Sequence, residues 1–482
     1  MGTPPTKPNW PAALTLAFAL GAALLSPATP AAPARRATPS LPAAEPAPAS
    51  NGRCVSDEGS DPQSVPPFRT VPATAGSASQ AGPGTAPRMN LLAMVRTAVQ
   101  RSNAVGAARL LSEAAAIDID EAHAAYYPQV GISGQLGGID AGAPNSATVR
   151  GKQFQGGLNV SAPLYDGGHT RDMIDYRAHL AEVSKFGEVS AQEQVALQTV
   201  SLALDRSRYT VEAQVYDQYA RKMSCLVEAL QMIVAADRGR TSELVQARKT
   251  QQQAELSRDQ VLSQKRLTEI RLRRFLGDDL PPTEGVTSVL LDTPALPDLL
   301  TMASRAAEIQ SLDSQAAALD AYVKSVLDGQ KPQLGLLVAA TRSAGAGDSR
   351  SVSGGITFNW QLFNAANKYT TESARKRAAA ARMNRDDALE ARKYRMAEVH
   401  EQAEHAMDRA RSVIEILHNS ELVRNFTLQQ WQQLGRRSLF DVMAAEGDHY
   451  SMRVQYVDAL YDTQQSNALL WSLGLGLANH LE

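Results

Sequence analysis

The chain has 482 residues, of which 44% are hydrophobic, 20% charged and 5% aromatic, and its formal net charge is -2. A charge this balanced argues against the basic face of a nucleic-acid binder, and so few aromatic residues argue against one large mixed globular core. Abundant Ala, Gln and Arg point instead to long helices.

In chain order, Lys7 precedes an apolar run from Ala12 to Leu25, and small residues end at Ala28. This predicts a secretory signal peptide over residues 1–28; the run is too short to span a bilayer. Residues 29–88 are rich in Pro, Ala, Ser and Gly without aliphatic periodicity, which predicts a disordered tail. Of the two cysteines, Cys54 in SNGRC lacks the small-residue context of a lipid-acylation site, and Cys225 falls in a helical pattern. Their spacing does not decide between a disulfide and two unpaired thiols.

From Asn90 to Tyr127 apolar residues recur at three-and-four spacing, predicting helix with a break near Asn103. The period then switches to two. Val130, Ile132 and Leu136 oppose Gln129, Ser133 and Gln135; Phe154, Leu158 and Val160 oppose Gln155, Asn159 and Ser161. Later, Leu334, Leu336 and Val338 oppose Gln333 and Thr341, and Val352, Ile356, Phe358 and Trp360 oppose Ser353, Thr357, Asn359 and Gln361. These predict four strands, at about 127–138, 153–165, 331–342 and 351–363, paired as two hairpins.

Between and after the hairpins the helical pattern is unusually long. It runs from Thr170 to Asp237 and again from Ala365 to Leu434, without proline. Helices this long and polar must pack laterally as coiled coils. Gly239 and Gly435 offer tight reversals into return helices over Ser242 to Phe275 and Leu439 to Leu473. One further helix is expected from Leu296 to Leu327. GGLNVSAPLYDGG at Gly156 recurs as GGITFNWQLFNAA at Gly354, so residues 89–295 and 296–478 read as two helix–hairpin–helix repeats.

Strands of about 9–11 residues with one apolar face have the length of membrane-spanning barrel strands. A soluble two-hairpin sheet is the other reading, and it needs something to cover the apolar face. Four strands cannot close a barrel alone, because open edges in lipid leave backbone groups unpaired. A membrane barrel would therefore be shared by several chains.

SAPLYDGG at Ser161 and its counterpart near Asn359 resemble the TolC family of outer-membrane channel proteins. GRTSELVQAR at Gly239, GRRSLFDVMAAEGDHY at Gly435 and YDTQQSNALLWSLGLGL at Tyr461 carry the same resemblance. It implies an α-helical plus transmembrane β-barrel fold: a homotrimer with four strands per chain, a 12-stranded barrel, and a coiled-coil tunnel extending from the outer membrane into the periplasm. It also implies a non-enzymatic exit duct partnered by a periplasmic adaptor protein and an inner-membrane ABC or other transporter. The look of the C-terminal motif resembles the type I secretion branch, which passes an unfolded protein such as a large toxin or adhesin. The alternative is small-molecule efflux, and a periplasmic coiled-coil scaffold without a barrel is a third reading. By motif position Asp441 matches an entrance-ring aspartate and Arg437 a gate arginine, with Glu243 at the acidic position it would face. Gly239 and Gly435 match the tip turns that meet the adaptor. A second ring aspartate is replaced by Ala444, which puts a doubled ring in doubt.

The residues show no catalytic constellation, cofactor motif or metal motif. His400 and His405 in HEQAEH are one residue off zincin spacing, and GAGDSR lacks the Lys-Ser/Thr of a phosphate loop.

Overall fold

The computed structural model describes residues 85–481, apart from 143–147, 283–289, 435 and 475. The expected signal peptide, almost all of the expected tail, Cys54 and Gly435 lie outside the described residues. All described residues belong to the compact unit Glu58–Glu482.

The element order is α1 (Thr85–Arg101), α2 (Asn103–Ala124), β1 (Gln129–Ala141), β2 (Val149–Tyr165), α3 (His169–Ala236) and α4 (Thr241–Leu276). Then follow α5 (Leu296–Met302), α6 (Ala307–Asp328), β3 (Gln333–Gly345), β4 (Ser349–Asn359), α7 (Ala365–Gln429), α8 (Leu439–Leu473) and α9 (Leu477–Leu481). A helix pair, a hairpin, a long helix and a return helix thus occur twice in the same order. The expected break near Asn103 falls at Ser102, whose side chain accepts a hydrogen bond from the Val105 N–H and caps α2.

Two helical expectations are corrected. The single helix expected over Leu296 to Leu327 is interrupted at Ala306, which takes an extended conformation. The interruption seats Leu299 and Ala303 against Met396, Val399 and Leu470. The helix expected to reach Leu434 ends at Gln429, and Gln430–Leu434 form a π turn.

The 68-residue α3 rises about 100 Å at 1.5 Å per residue. It packs against α2 and α4, and also against α6 and α8; α7 packs against α6 and α8. The helices therefore form a layer in the order α2/α4, α3, α6/α8, α7. The α7 seam is Met396, Val399, Ala403, Ala406, Ala410, Val413 and Leu417, all buried at the alternating three-and-four spacing of coiled-coil packing. One core joins α1, α3, α4, α8 and α9 around Leu91, Val200, Leu272 and Tyr461. A second, at the far helix ends, joins Leu230, Leu244, Leu439 and Val442.

The four strands form one antiparallel sheet in the order β1-β2-β3-β4. Both expected hairpins are present, and β2 also pairs with β3, which no local turn announced. The strands differ from expectation at their ends: β2 begins at Val149, and β4 stops at Asn359. The outer sides of the edge strands β1 and β4 have no strand partner among the described residues. The helix layer continues this order, since α2 enters β1 at one edge and α7 leaves β4 at the other. No described helix is long and apolar enough to cross a membrane.

Candidate functional site

Strand register decides what the sheet presents. Val130 stands opposite Val160 and Val160 opposite Val338; Ile132 stands opposite Leu158, Leu158 opposite Ala340, and Ala340 opposite Val352. Leu136 meets Phe154, Ala162 meets Leu336, and Leu336 meets Ile356. These aligned apolar residues of all four strands therefore fall on one face, with Ile139 and Leu337 the larger aliphatic exceptions on the other, because a slip of one residue would have sent any strand's set to the other side. In the single chain this face is uncovered: Ile132 is 88% exposed and Ile356 70%. A contiguous exposed patch of this kind marks an interaction or membrane surface. The opposite face carries Gln, Ser, Thr and Asn, with Thr341 and Ser351 joined by a 2.7 Å hydroxyl hydrogen bond.

The two ends of the sheet differ. At the helix end Tyr127, Tyr165, Trp360 and Phe363 are all exposed, and Tyr126 sits beside them in sequence. Amphipathic aromatic residues at this height form the interfacial girdle of barrel strands. At the other end Asp140 pairs with Arg150 at 2.5 Å. The sequence reading missed this aromatic band, although five aromatics flanking strands in a chain this poor in them is a readable signal.

Each hairpin hands over to its long helix through a cap. The Asp166 carboxylate accepts from the Gly168 N–H at 3.0 Å and the Thr170 N–H at 2.6 Å. Asn364 Oδ1 accepts from the Ala366 N–H at 2.9 Å. These bonds satisfy amides that a helix N-terminus leaves without intrahelical partners, and they explain why Asp or Asn follows the apolar pair in both copies of the motif. Gly167 and Gly168 take positive φ, 73° and 100°, and a Cβ on Gly167 would stand 2.9 Å from the Asp328 carbonyl oxygen.

At the far end the two helix reversals pack side by side. In the first, Arg238–Arg240 form a 3-10 turn capped by Asp237, which accepts from the Gly239 N–H at 2.9 Å. Gly239 thus lies in the reversal, as part of that turn and without a positive φ. Glu243 lies one turn on, 4.0 Å from Arg240, and its Oε2 is buried without a hydrogen bond. In the second tip Arg437 donates from Nε to Gln430 Oε1 at 3.2 Å and stands 4.0 Å from Asp441. Asp441 accepts from the Ser438 N–H, and Ser438 Oγ accepts from the Asp441 N–H, each at 3.2 Å. Within one chain, among the described residues, Arg437 and Glu243 are therefore each paired elsewhere and not with one another.

A charged cluster that sequence reading did not single out lies between α3, α7 and α8. Arg208 faces Glu212 at 3.1 Å, Asp462 at 3.6 Å and Asp458 at 3.9 Å, while Arg409 holds Asp462 at 2.8 Å. Burial, and then the carboxyl of Asp458, push Glu212 up to about 8. Closer to the tips, Glu446 and His449 occupy buried positions on α8, 2% and 6% exposed. Burial, with Arg424 and Arg453 nearby, pushes His449 down to about 4, and burial raises Glu446. Their separation along α8 puts both on its inward face.

No family model matches the chain, and no curated protein matches it. Solved structures do. The outer-membrane channel OprN is 16% identical and superposes with a TM-score of 0.70 over 86% of this chain and 99% of its own. The outer-membrane protein VceC of Vibrio cholerae is 15% identical, with a TM-score of 0.68 over 81% of this chain and 97% of its own. The open state of the MtrE outer-membrane channel of Neisseria gonorrhoeae is 13% identical, with a TM-score of 0.66 over 85% of this chain and 94% of its own. The chain has the fold of these solved outer-membrane channels, which is the fold that the TolC resemblance implied.

Proposed function

We propose that the chain is a TolC-family exit duct of the outer membrane, working as a homotrimer. The observation that carries the reading is the sheet: four strands with one continuous uncovered apolar face and two open edges. Backbone groups at an open edge cannot stay unpaired in lipid, and a further copy supplies the missing partner to each edge. Three copies give a 12-stranded barrel of the usual even strand number. The aromatic girdle sets the inner membrane–water boundary, and the helices extend from it into the periplasm. The tips, including Gly239 and Gly435, then meet a periplasmic adaptor and, through it, an inner-membrane ABC or other transporter.

The duct performs no chemistry; its working part is a gate. Within one chain Glu243 has only a 4.0 Å ion pair with Arg240 and keeps a partly exposed carboxylate, and in the trimer Arg437 of a neighbouring copy becomes its partner. Asp441 contributes to an acidic entrance ring. Individually such pairs contribute little, which suits a latch that must open. Single-channel recording tests it: Arg437→Ser raises conductance in a planar bilayer, and unchanged conductance in it and in Glu243→Gln rejects the latch.

For cargo, the C-terminal motif supports secretion of an unfolded protein through a type I system; small-molecule efflux is the alternative. A deletion strain separates them. Loss of one or a few large secreted proteins with unchanged dye and detergent susceptibility supports secretion. An intact set of secreted proteins with new susceptibility supports efflux.

A further inference from the structure

We propose that this chain selects further copies of itself, in one head-to-tail orientation, through opposite and vertically inverted charge on the two flanks of its helix layer. This rests on the ring-forming reading above and adds what recognises what.

The layer order leaves two outer flanks, α2 above α4 on one side and α7 on the other. On the first flank α2 carries four Asp/Glu and one Lys/Arg, net -3. Below it, α4 carries eight Lys/Arg and four Asp/Glu, net +4. The single helix α7 reverses this pattern along its length. Residues 365–395 hold nine Lys/Arg and four Asp/Glu, net +5, and residues 396–429 hold three Lys/Arg and six Asp/Glu, net -3.

Because α2 ends at β1 and α7 begins at β4, a copy joined at the sheet edges sets the upper part of α7 beside α2 and the lower part beside α4. Positive then faces negative at both levels. Glu121 lies one turn from the end of α2, and Lys368 one turn from the start of α7; Glu113 and Lys376 each lie three turns in. Lys368, Arg375, Lys376, Asp120 and Glu121 have no ion-pair partner within the described residues of one chain, whereas Arg382, Arg385 and Arg392 are already matched to Asp320, Asp313 and Glu308 of α6.

Apolar stripes accompany the charge. Val245, Leu256 and Leu267 on α4, and Met383, Tyr394 and Ile416 on α7 with the polar His405 at the intervening position, follow an eleven-residue repeat, which keeps a stripe on one side of a nearly straight helix. All these residues are exposed in the single chain. Charged flanks on an apolar stripe set partner and orientation in coiled coils, and like charges placed side by side reject the wrong pairing.

Two charge-reversed proteins and their combination test this: Lys368→Glu with Arg375→Glu and Lys376→Glu on α7, and Asp120→Lys with Glu121→Lys on α2. Cross-linking in detergent at low salt reads the oligomer. Each set alone reduces assembly about tenfold per junction, since several exposed pairs turn from attraction to repulsion, and added salt reverses part of the loss. The two sets combined in one chain restore assembly. Neutral variants (Lys368→Gln, Arg375→Gln, Lys376→Gln) lose less, in the same direction. Full assembly of either reversed set, or no rescue in the combination, overturns the flank proposal while wild-type oligomers keep the duct reading. A monomeric wild-type protein in the outer-membrane fraction overturns the duct reading itself.

Discussion

Ser438 and Asp441 exchange two hydrogen bonds at the start of α8, each side chain accepting from the other's backbone N–H at 3.2 Å. The aspartate proposed for the entrance ring is thus also half of a capping box. The two roles separate by mutation. Ser438→Ala removes only the cap and destabilises the tip by about 1 kcal/mol, seen as faster amide exchange over residues 439–445 with cation block of the channel unchanged. Asp441→Ala produces that exchange and also weakens block by multivalent cations. Undiminished block in Asp441→Ala places the ring elsewhere.

The strand-to-helix junction makes a second prediction. Asp166 serves two amides that Asn364 serves only in part. Asp166→Ala therefore lowers thermal stability more than Asn364→Ala, by about 1–2 kcal/mol against about 1. Equal shifts in the melting of the detergent-solubilised protein would show that the second amide bond adds nothing.

How much of this was legible before the fold is clearest at particular residues. Period-two alternation placed Ile132, Leu158 and Ile356 on one face because strand geometry forces it. The pairing of β2 with β3 was not legible, since more than 160 residues, most of them helical, separate the two strands and no turn chemistry links them. Ala306 offered no signal either: it interrupts a run of good helix formers, and only the seat of Leu299 and Ala303 against α7 and α8 shows why. Ser438-Leu-Phe-Asp441 was readable as a capping box, but the motif's resemblance drew attention to a ring instead. The cluster around Arg208 draws its partners from three helices, and one sequence does not reveal which helical faces meet.

That cluster predicts an alkaline weakness. Glu212 is raised from the ordinary carboxylate range to about 8, so the folded chain holds a proton that the unfolded chain has released. The resulting stability is complete below pH 4.5 and is lost as pH rises through about 8. Arg208, Asp205, Asp458 and Tyr216 surround the group. Melting temperature is expected to fall between about pH 4.5 and 8, and Glu212→Gln, which imitates the protonated form, flattens that fall. An unchanged slope in the variant would assign the effect to another group.

His449 predicts the opposite limb. Its folded value near 4 lies below the usual 6.5, so the unfolded chain takes up a proton first as pH falls. Stability is whole above pH 6.5 and declines toward pH 4, by about 3 kcal/mol in all. Arg424, Arg453, Glu446, Tyr450, Tyr219 and Lys222 lie around this part of the core. Glu446 and Glu212, both raised, act with the opposite sign, so the wild-type curve is a difference between His449 and these carboxyls. His449→Gln should remove the acid decline and expose the contribution of the raised carboxyls Glu446 and Glu212.

The lipid-facing reading of the sheet rests on a comparison of neighbours in one strand. Ile356 and Thr357 are adjacent in β4 and point to opposite faces, Ile356 aligned with Leu336 and Thr357 with Gly335. Both are exposed in the single chain, so burial within the chain does not distinguish them. Lipid does. Arginine on the outer face near the bilayer midplane costs about 2–4 kcal/mol, whereas a lumen position tolerates it. Ile356→Arg should therefore reduce the folded, heat-modifiable oligomer recovered from outer membranes or refolded into vesicles. Thr357→Arg should assemble normally and change ion selectivity instead. Equal tolerance of both substitutions would mean that water bathes both faces, and the barrel would have to be abandoned for a soluble sheet.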